Sequence, residues 1–233
     1  MAERQIVAIG GGGVSQDPAN PLLLDYLLGL TAQPHPRVCI FGTASGDREG
    51  GLLLAYAAFA RRGCRVSHVN LFPRTIEDLR AHLLAQDLIY VGGGNTANML
   101  AVWRVHGLDA ILREAWEAGI PLAGVSAGAI CWFEAGITDS FGLTLQPLHD
   151  GLSFLPASCC PHYDGEIQRR PTYRGAVAAG LAGGLAIDDG CAARFSGTDL
   201  AEIVTSRPEA RAYRVERAGD DVSETPLDAR FLG

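Results

Sequence analysis

The first stretch of this chain in which chemistry can be read is a serine between closely spaced glycines. Residues 121–130 read Pro-Leu-Ala-Gly-Val-Ser-Ala-Gly-Ala-Ile, with Gly124, Ser126 and Gly128 at alternate positions. An apolar strand, a Gly-x-Ser-x-Gly turn and a helix-compatible stretch form the pattern of a nucleophile elbow. Such a turn lifts the hydroxyl off the sheet edge and points a helix N-terminus at the reacting carbonyl, so that the Ala127 amide becomes an oxyanion donor. The same pentapeptide also fits a helix-capping serine after a strand.

A serine nucleophile needs a base, usually a histidine oriented by a carboxylate. Six histidines are present, and His35, His68, His82 and His106 precede the elbow in segments that suit surface or packing roles. His149 lies in Pro-Leu-His-Asp-Gly, and His162 follows Cys159-Cys160-Pro161 at a change from apolar run to turn. Position favours His162 slightly over His149. Carboxylate candidates are Asp188 and Asp189, at the end of an apolar run and before a glycine, and Asp139 in Thr-Asp-Ser. Asp-Gly is equally a turn signal with no catalytic meaning.

Two glycine runs flank this set. Gly92-Gly93-Gly94 precedes Asn95 and Thr96, and its exposed amides can complete an oxyanion hole with Ala127. It lacks the lysine of a phosphate-binding P-loop. The run 10–13 superficially matches a dinucleotide fingerprint, but its third glycine is missing and no acidic residue ends the following strand. Nucleotide binding is not expected, and neither a cofactor nor a metal is called for.

The elements that must hold these residues alternate. Short apolar runs at 6–9, 38–41, 65–70, 88–91 and 122–125 are separated by helical stretches near 20–30, 49–62, 75–84 and 95–118, the last broken near His106 and Gly107. Alternation of this kind predicts an α/β fold with a mostly parallel sheet and helices on both faces. The glycine loops and Ser126 fall at the carboxyl ends of the strands, where such sheets bind ligands. Beyond Phe141 the pattern becomes mixed or antiparallel, with one helix near 166–180 and strands near 184–187, 191–195, 200–204 and 211–215. The polar tail 218–233 reads as loosely held. No linker or internal repeat interrupts residues 1–233, which read as a single domain.

Composition narrows the function classes. The chain is 48% apolar and 19% charged, with a net charge of −7. That profile fits a globular protein and gives no basic face for nucleic acid. The longest apolar run, 52–60, is about half of the roughly 20 residues a membrane span requires, and the first apolar stretch is too short for a signal-peptide core. Six cysteines without metal spacing read as free thiols in a reducing cytoplasm.

Taken together, these motifs resemble the peptidase E family of serine peptidases, which includes aspartyl dipeptidases and is related to cyanophycinases. The resemblance runs from about Ile6 to Ile203 through Gly92-Gly-Gly-Asn-Thr96, Gly124-Val-Ser-Ala-Gly128, Pro161-His162 and Asp188-Asp189-Gly190. It implies a class I glutamine amidotransferase-like, flavodoxin-like fold, with serine where those enzymes carry cysteine. It implies Ser126 as nucleophile, His162 as general base and Asp189 as the third member, where some of the family carry glutamate. Asp139 matches an accessory acidic position, and Gly93, Gly94 and Ala127 match the oxyanion-forming backbone. The order Ser, His, acid differs from an α/β-hydrolase, whose histidine comes last near the C-terminus.

The implied substrate is a small peptide, typically one beginning with aspartate. Asn95, Thr96, Arg169 and Arg170 are candidate substrate contacts, with Arg174 a further nearby cation; a solvated helix face is the plainer reading of these arginines. The competing functions are an amidase, a cyanophycinase-like isopeptide hydrolase, and a non-catalytic binding protein on the same scaffold. No membrane partner is expected, and a free sheet edge or helix pair is compatible with a homodimer.

Overall fold

The computed structural model describes residues 3–16 and 19–233. Its first half is the predicted alternation: β1 (Gln5–Ile9), α1 (Gly13–Gln16), α2 (Leu22–Gly29), β2 (Arg37–Phe41), α3 (Glu49–Ala60), β3 (Arg65–Val69), α4 (Leu79–Leu84), β4 (Leu88–Val91), α5 (Thr96–Val105), α6 (Leu108–Glu117) and β5 (Leu122–Val125). The stretch expected to be one broken helix is two, because Gly107 takes a positive φ of 67° between them, a conformation that costs glycine little.

The second half is α7 (Ala127–Ile130), β6 (Phe133–Thr138), β7 (Gln146–Leu148), β8 (Leu155–Cys160), α8 (Arg169–Ala178), β9 (Gly184–Ile187), β10 (Cys191–Ser196), β11 (Asp199–Thr205), β12 (Ala212–Ala218), β13 (Asp221–Pro226) and β14 (Arg230–Phe231). Two sheets result. The eight-stranded one runs β14-β11-β10-β1-β5-β4-β2-β3, with β1 to β5 parallel and β10 antiparallel to β1. The six-stranded one runs β13-β12-β9-β8-β6-β7. The mixed edge expected of the C-terminal part is formed by β10, β11 and β14, while its other strands build a sheet of their own. The tail expected to be loose is instead paired, β13 along β12 and β14 along β11.

Alternate residues of the parallel strands enter opposite cores, as a strand's two-residue period requires. Val38, Ile40, Leu88 and Tyr90 pack toward α2 and α3 through Leu27 and Phe59. Cys39, Phe41, Ile89 and Val91 face the other core, with Trp103, Leu112, Trp132 and residues of the second sheet such as Phe133 and Leu185. A third cluster lies between α8 and the second sheet, around Ile137, Tyr173 and Val177. The cysteines are free, and all but Cys64 are buried. Among the described residues, no helix is long and apolar enough to cross a membrane.

This arrangement decides where the candidate residues lie. Ser126 and Asp189 each sit where the chain passes between the two sheets, from β5 to β6 and from β9 to β10. His162 follows β8 in the second sheet.

Candidate active site

Ser126 occupies the turn between β5 and α7 with φ 57° and ψ −112°. A non-glycine residue there is strained, and surrounding structure must impose it. Three contacts do so. The Ser126 amide donates to Ile9 O at 3.1 Å. A β-carbon on Gly124 would overlap the carbonyl of Gly128, and one on Gly128 would overlap the carbonyl of Val91. The spaced glycines are thus a packing requirement: backbone lies where side chains would stand.

The loop after β4 closes against the serine. A β-carbon on Gly93 would lie 3.2 Å from Ser126 Cβ and 3.7 Å from its Oγ. Gly94 has a φ of 138° and presses against the carbonyl of Ala44, which also accepts from the Asn95 amide at 2.8 Å. The Gly92 amide is used, donating to Phe41 O at 3.0 Å, whereas the amides of Gly93, Gly94 and Ala127 donate to no group among the described residues. Behind Gly92 and Gly93 lies a largely apolar cavity of about 180 Å³, bordered by Ile40, Leu52, Ala55 and Tyr90.

His162 is the second strained residue, with φ 54°. Its amide donates to Gly10 O at 3.2 Å, and the next amide, Tyr163, donates to Ile187 O at the same distance. The imidazole is buried, and its Nδ1 lies 2.7 Å from Asp189 Oδ1. The hydrogen bond with His162 holds the Asp189 carboxyl below the usual carboxylate range, against burial, with Arg207 and Arg169 adding to the effect. The aspartate reaches the ring because the backbones approach closely. Gly11 and Asp189 form an isolated parallel bridge, and β-carbons on Gly11 or Gly165 would collide with the carboxylate. The run 10–13 therefore packs against the turn that carries Asp189. Among the described residues, no hydrogen bond joins Ser126 Oγ to His162; such contacts are often loose without substrate.

Asp188 points elsewhere. Its Oδ2 accepts from the Arg211 amide at 2.8 Å, its Oδ1 is buried without a partner among the described residues, and burial pushes its carboxyl up to about 6. Asp139 is exposed just after β6, beside Ser140. Ser140 in turn accepts from Asn95 Nδ2 at 3.0 Å and from the Ala97 amide. His149 is exposed just after β7.

The four candidate substrate contacts are engaged within the protein. Asn95 caps α5, its Oδ1 accepting from the Asn98 amide at 2.8 Å. Thr96 is buried and meets Thr138 Oγ1 at 3.3 Å. Arg169 departs most from the solvated helix face expected of it: it is 3% exposed, with Nη1 on Ile137 O and Nε on Glu166, both at 2.7 Å. Arg170 lies over the rings of Tyr163 and Tyr213 and pairs with Glu224 at 3.0 Å. Arg174 reaches the same Glu224 at 3.5 Å.

Around the histidine–aspartate pair stand Gly11, from the glycine run 10–13, and three residues the sequence did not single out: Gly165, Asp164 and Arg207. Asp164 and Gly165 sit two and three positions after His162, a proximity that could have flagged them. Arg207 carries no local signal.

Comparison with known proteins gives the family. The sequence model of peptidase family S51 matches residues 6–203. The chain is 47% identical over 231 residues to an uncharacterized peptidase, YgaJ, of Bacillus subtilis, covering 99% of this chain and all of that one. It is 31% identical to peptidase E of Shewanella denitrificans over 133 residues, 53% of this chain and 57% of the relative. In structure it is similar to a peptidase from an acI-B1 actinobacterium, with a TM-score of 0.71 at 19% identity, covering 97% of this chain and 95% of that one. The chain belongs to peptidase family S51 and is a peptidase.

Proposed function

We propose that the protein is a serine peptidase of small peptides, acting as a dipeptidase or aminopeptidase through Ser126, His162 and Asp189. The observation that carries the proposal is the His162–Asp189 hydrogen bond of 2.7 Å, formed at the same sheet edges that hold Ser126 in its strained turn. Asp189 fixes the tautomer with Nδ1 protonated, which leaves Nε2 to take the serine proton. Ser126 Oγ attacks the peptide carbonyl, and the free amides of Gly93, Gly94 and Ala127 receive the developing oxyanion. His162 returns the proton to the leaving amine, and water then resolves the acyl-enzyme by the same route. Asp139 is an accessory residue in this reading, placed near the Asn95 loop through Ser140.

The likeness to aspartyl dipeptidases makes an N-terminal aspartate the first specificity to test. The cavity behind Gly92 and Gly93 has no charged residue in its lining, so apolar first residues belong in the same panel.

Wild type and Ser126→Ala are to be incubated with a dipeptide and tripeptide library and with a serine-reactive fluorophosphonate probe. Cleavage and labelling by wild type alone are expected. Equal labelling of both proteins with no peptide cut would overturn the reading. Cleavage that spares Asp-Xaa peptides would remove the aspartate preference and leave the mechanism standing.

A further inference from the structure

The Asp189 peptide unit is gripped at both ends by one pair of side chains. Asp164 Oδ1 accepts from the Asp189 amide at 2.8 Å, and Arg207 Nε donates to the Asp189 carbonyl at 2.9 Å. The ring is closed by an ion pair between Arg207 Nη2 and Asp164 Oδ2. The neighbouring residues join the grip, since the Ser206 amide donates to Gly190 O at 2.7 Å and the Gly190 amide to Gly11 O at 2.9 Å.

We propose that Asp164 and Arg207 are positioning residues, which lock the Asp189 backbone so that its carboxylate stays on His162 Nδ1. The inference rests on the roles given to His162 and Asp189 above. A carboxylate is one rotatable bond from its Cβ, so its direction is fixed only if the backbone beneath it is fixed. Left alone, an Asp-Gly turn is a weak support, because Gly190 follows with a φ of 73° and the freedom that glycine brings. The clamp removes that freedom. Its forked geometry needs arginine: two nitrogens of one rigid guanidinium bond two different acceptors, a task that a lysine ammonium performs poorly. The pair is partly exposed, beside a cavity of about 460 Å³ lined by Gly12, Asn20 and Ser206. Ion pairs so exposed contribute little to stability, so its loss should be felt at the site before it is felt in the fold.

The test uses Arg207→Met and Asp164→Ala, each also made in the Ser126→Ala background. The readouts are kcat and KM on a cleaved peptide, thermal unfolding, and the low-field proton NMR signal of the His162 Nδ1–H bonded to Asp189. Expected are a fall in kcat of about ten- to hundredfold, in the range that outer-shell partners of active-site groups command, with little change in KM. The low-field signal should weaken or move upfield in both variants. Arg207→Lys should recover part of the rate, and Asp164→Asn, which keeps an acceptor for the Asp189 amide, more than Asp164→Ala.

Wild-type kcat and an unchanged signal in both variants would overturn the proposal. So would a rate loss that tracks unfolding while the signal of the folded protein stays put. Should Arg207→Met not fold, Arg207→Lys and Asp164→Asn carry the same comparison. The signal is read with no substrate present, so the clamp is tested even if Ser126→Ala still cleaves and the serine assignment falls.

Discussion

Gly11 and Asp189 lie bridged backbone to backbone, so close that a single methyl group on Gly11 would occupy the space of the Asp189 carboxylate. The obstructing atoms belong to side chains, the Asp189 carboxylate and His162 Nδ1, which can swing aside where backbone cannot. Gly11→Ala should therefore leave the fold almost intact while pushing the carboxylate off His162. The contrast is Gly128→Ala, whose β-carbon would meet the backbone carbonyl of Val91, which cannot swing. Overpacking of that kind costs about 1–3 kcal/mol. Thermal unfolding and peptide cleavage, measured on both, should separate: activity lost in the first, stability in the second.

Strain at Ser126 has a measurable size. Holding a non-glycine residue outside the common regions costs about 1–3 kcal/mol. Glycine accepts such angles but loses about 0.5–1 kcal/mol through its freer unfolded chain. Ser126→Gly should then be more stable than Ser126→Ala by about 1 kcal/mol, both being without cleavage activity. Chemical denaturation of the two variants checks it. Equal stability would mean that the turn relaxes in Ser126→Ala.

Asp188 provides a dependence on pH. Its folded carboxyl, raised by burial to about 6, binds a proton more tightly than the same group in the unfolded chain. Stability is therefore full below about pH 4 and declines as pH rises through about 6. After allowance for screening, the loss is on the order of 1–2 kcal/mol. Asp188→Asn should flatten the fall in melting temperature between pH 4 and 7 and raise it at neutral pH. An unchanged slope would show that another group is responsible.

Asn95 holds the start of a helix. Replacing it by alanine removes the cap of α5 and the contact to Ser140, and cap losses of this type cost about 0.5–2 kcal/mol. Its KM for a cleaved peptide, measured well below the melting temperature, should stay near the wild-type value.

Much of this architecture was legible in the sequence, and the parts that were not share a cause. Four of the five parallel strands, β1, β2, β4 and β5, are mostly apolar runs with glycine at or beside their carboxyl ends, a pattern few other arrangements produce. The second sheet escaped because its strands do not announce themselves. Phe133–Thr138 and Leu155–Cys160 mix small residues, a proline and a glycine with only three large apolar side chains, and they are buried without a clean two-residue alternation. The tail 218–233 is polar, yet its pairing with β12 and β11 is made by backbone groups that side-chain polarity does not report. Arg169 was misjudged for a related reason: a buried guanidinium is tolerable only with partners, and the Ile137 carbonyl is 32 residues away. Within the site, the order of Ser126, His162 and Asp189 was legible, and the Asp189 contact is made. Its supporting residue Arg207 was not, and Gly11 was legible only as part of a glycine run, since each lies far along the chain from the group it supports.

Asp189 sits on the crossing from one sheet to the other, and Arg207 lies beyond β11. The consequence concerns synthesis. On the roles proposed above, a chain emerging from the ribosome would present Ser126 long before an oriented His162, because Asp189 follows β9 and Arg207 follows β11. The proposed clamp is complete only once nearly nine-tenths of the polypeptide exists. On that reading a half-made copy would be a harmless one, and truncation ahead of Asp189 would silence the protein while leaving β1 to β5 in the chain.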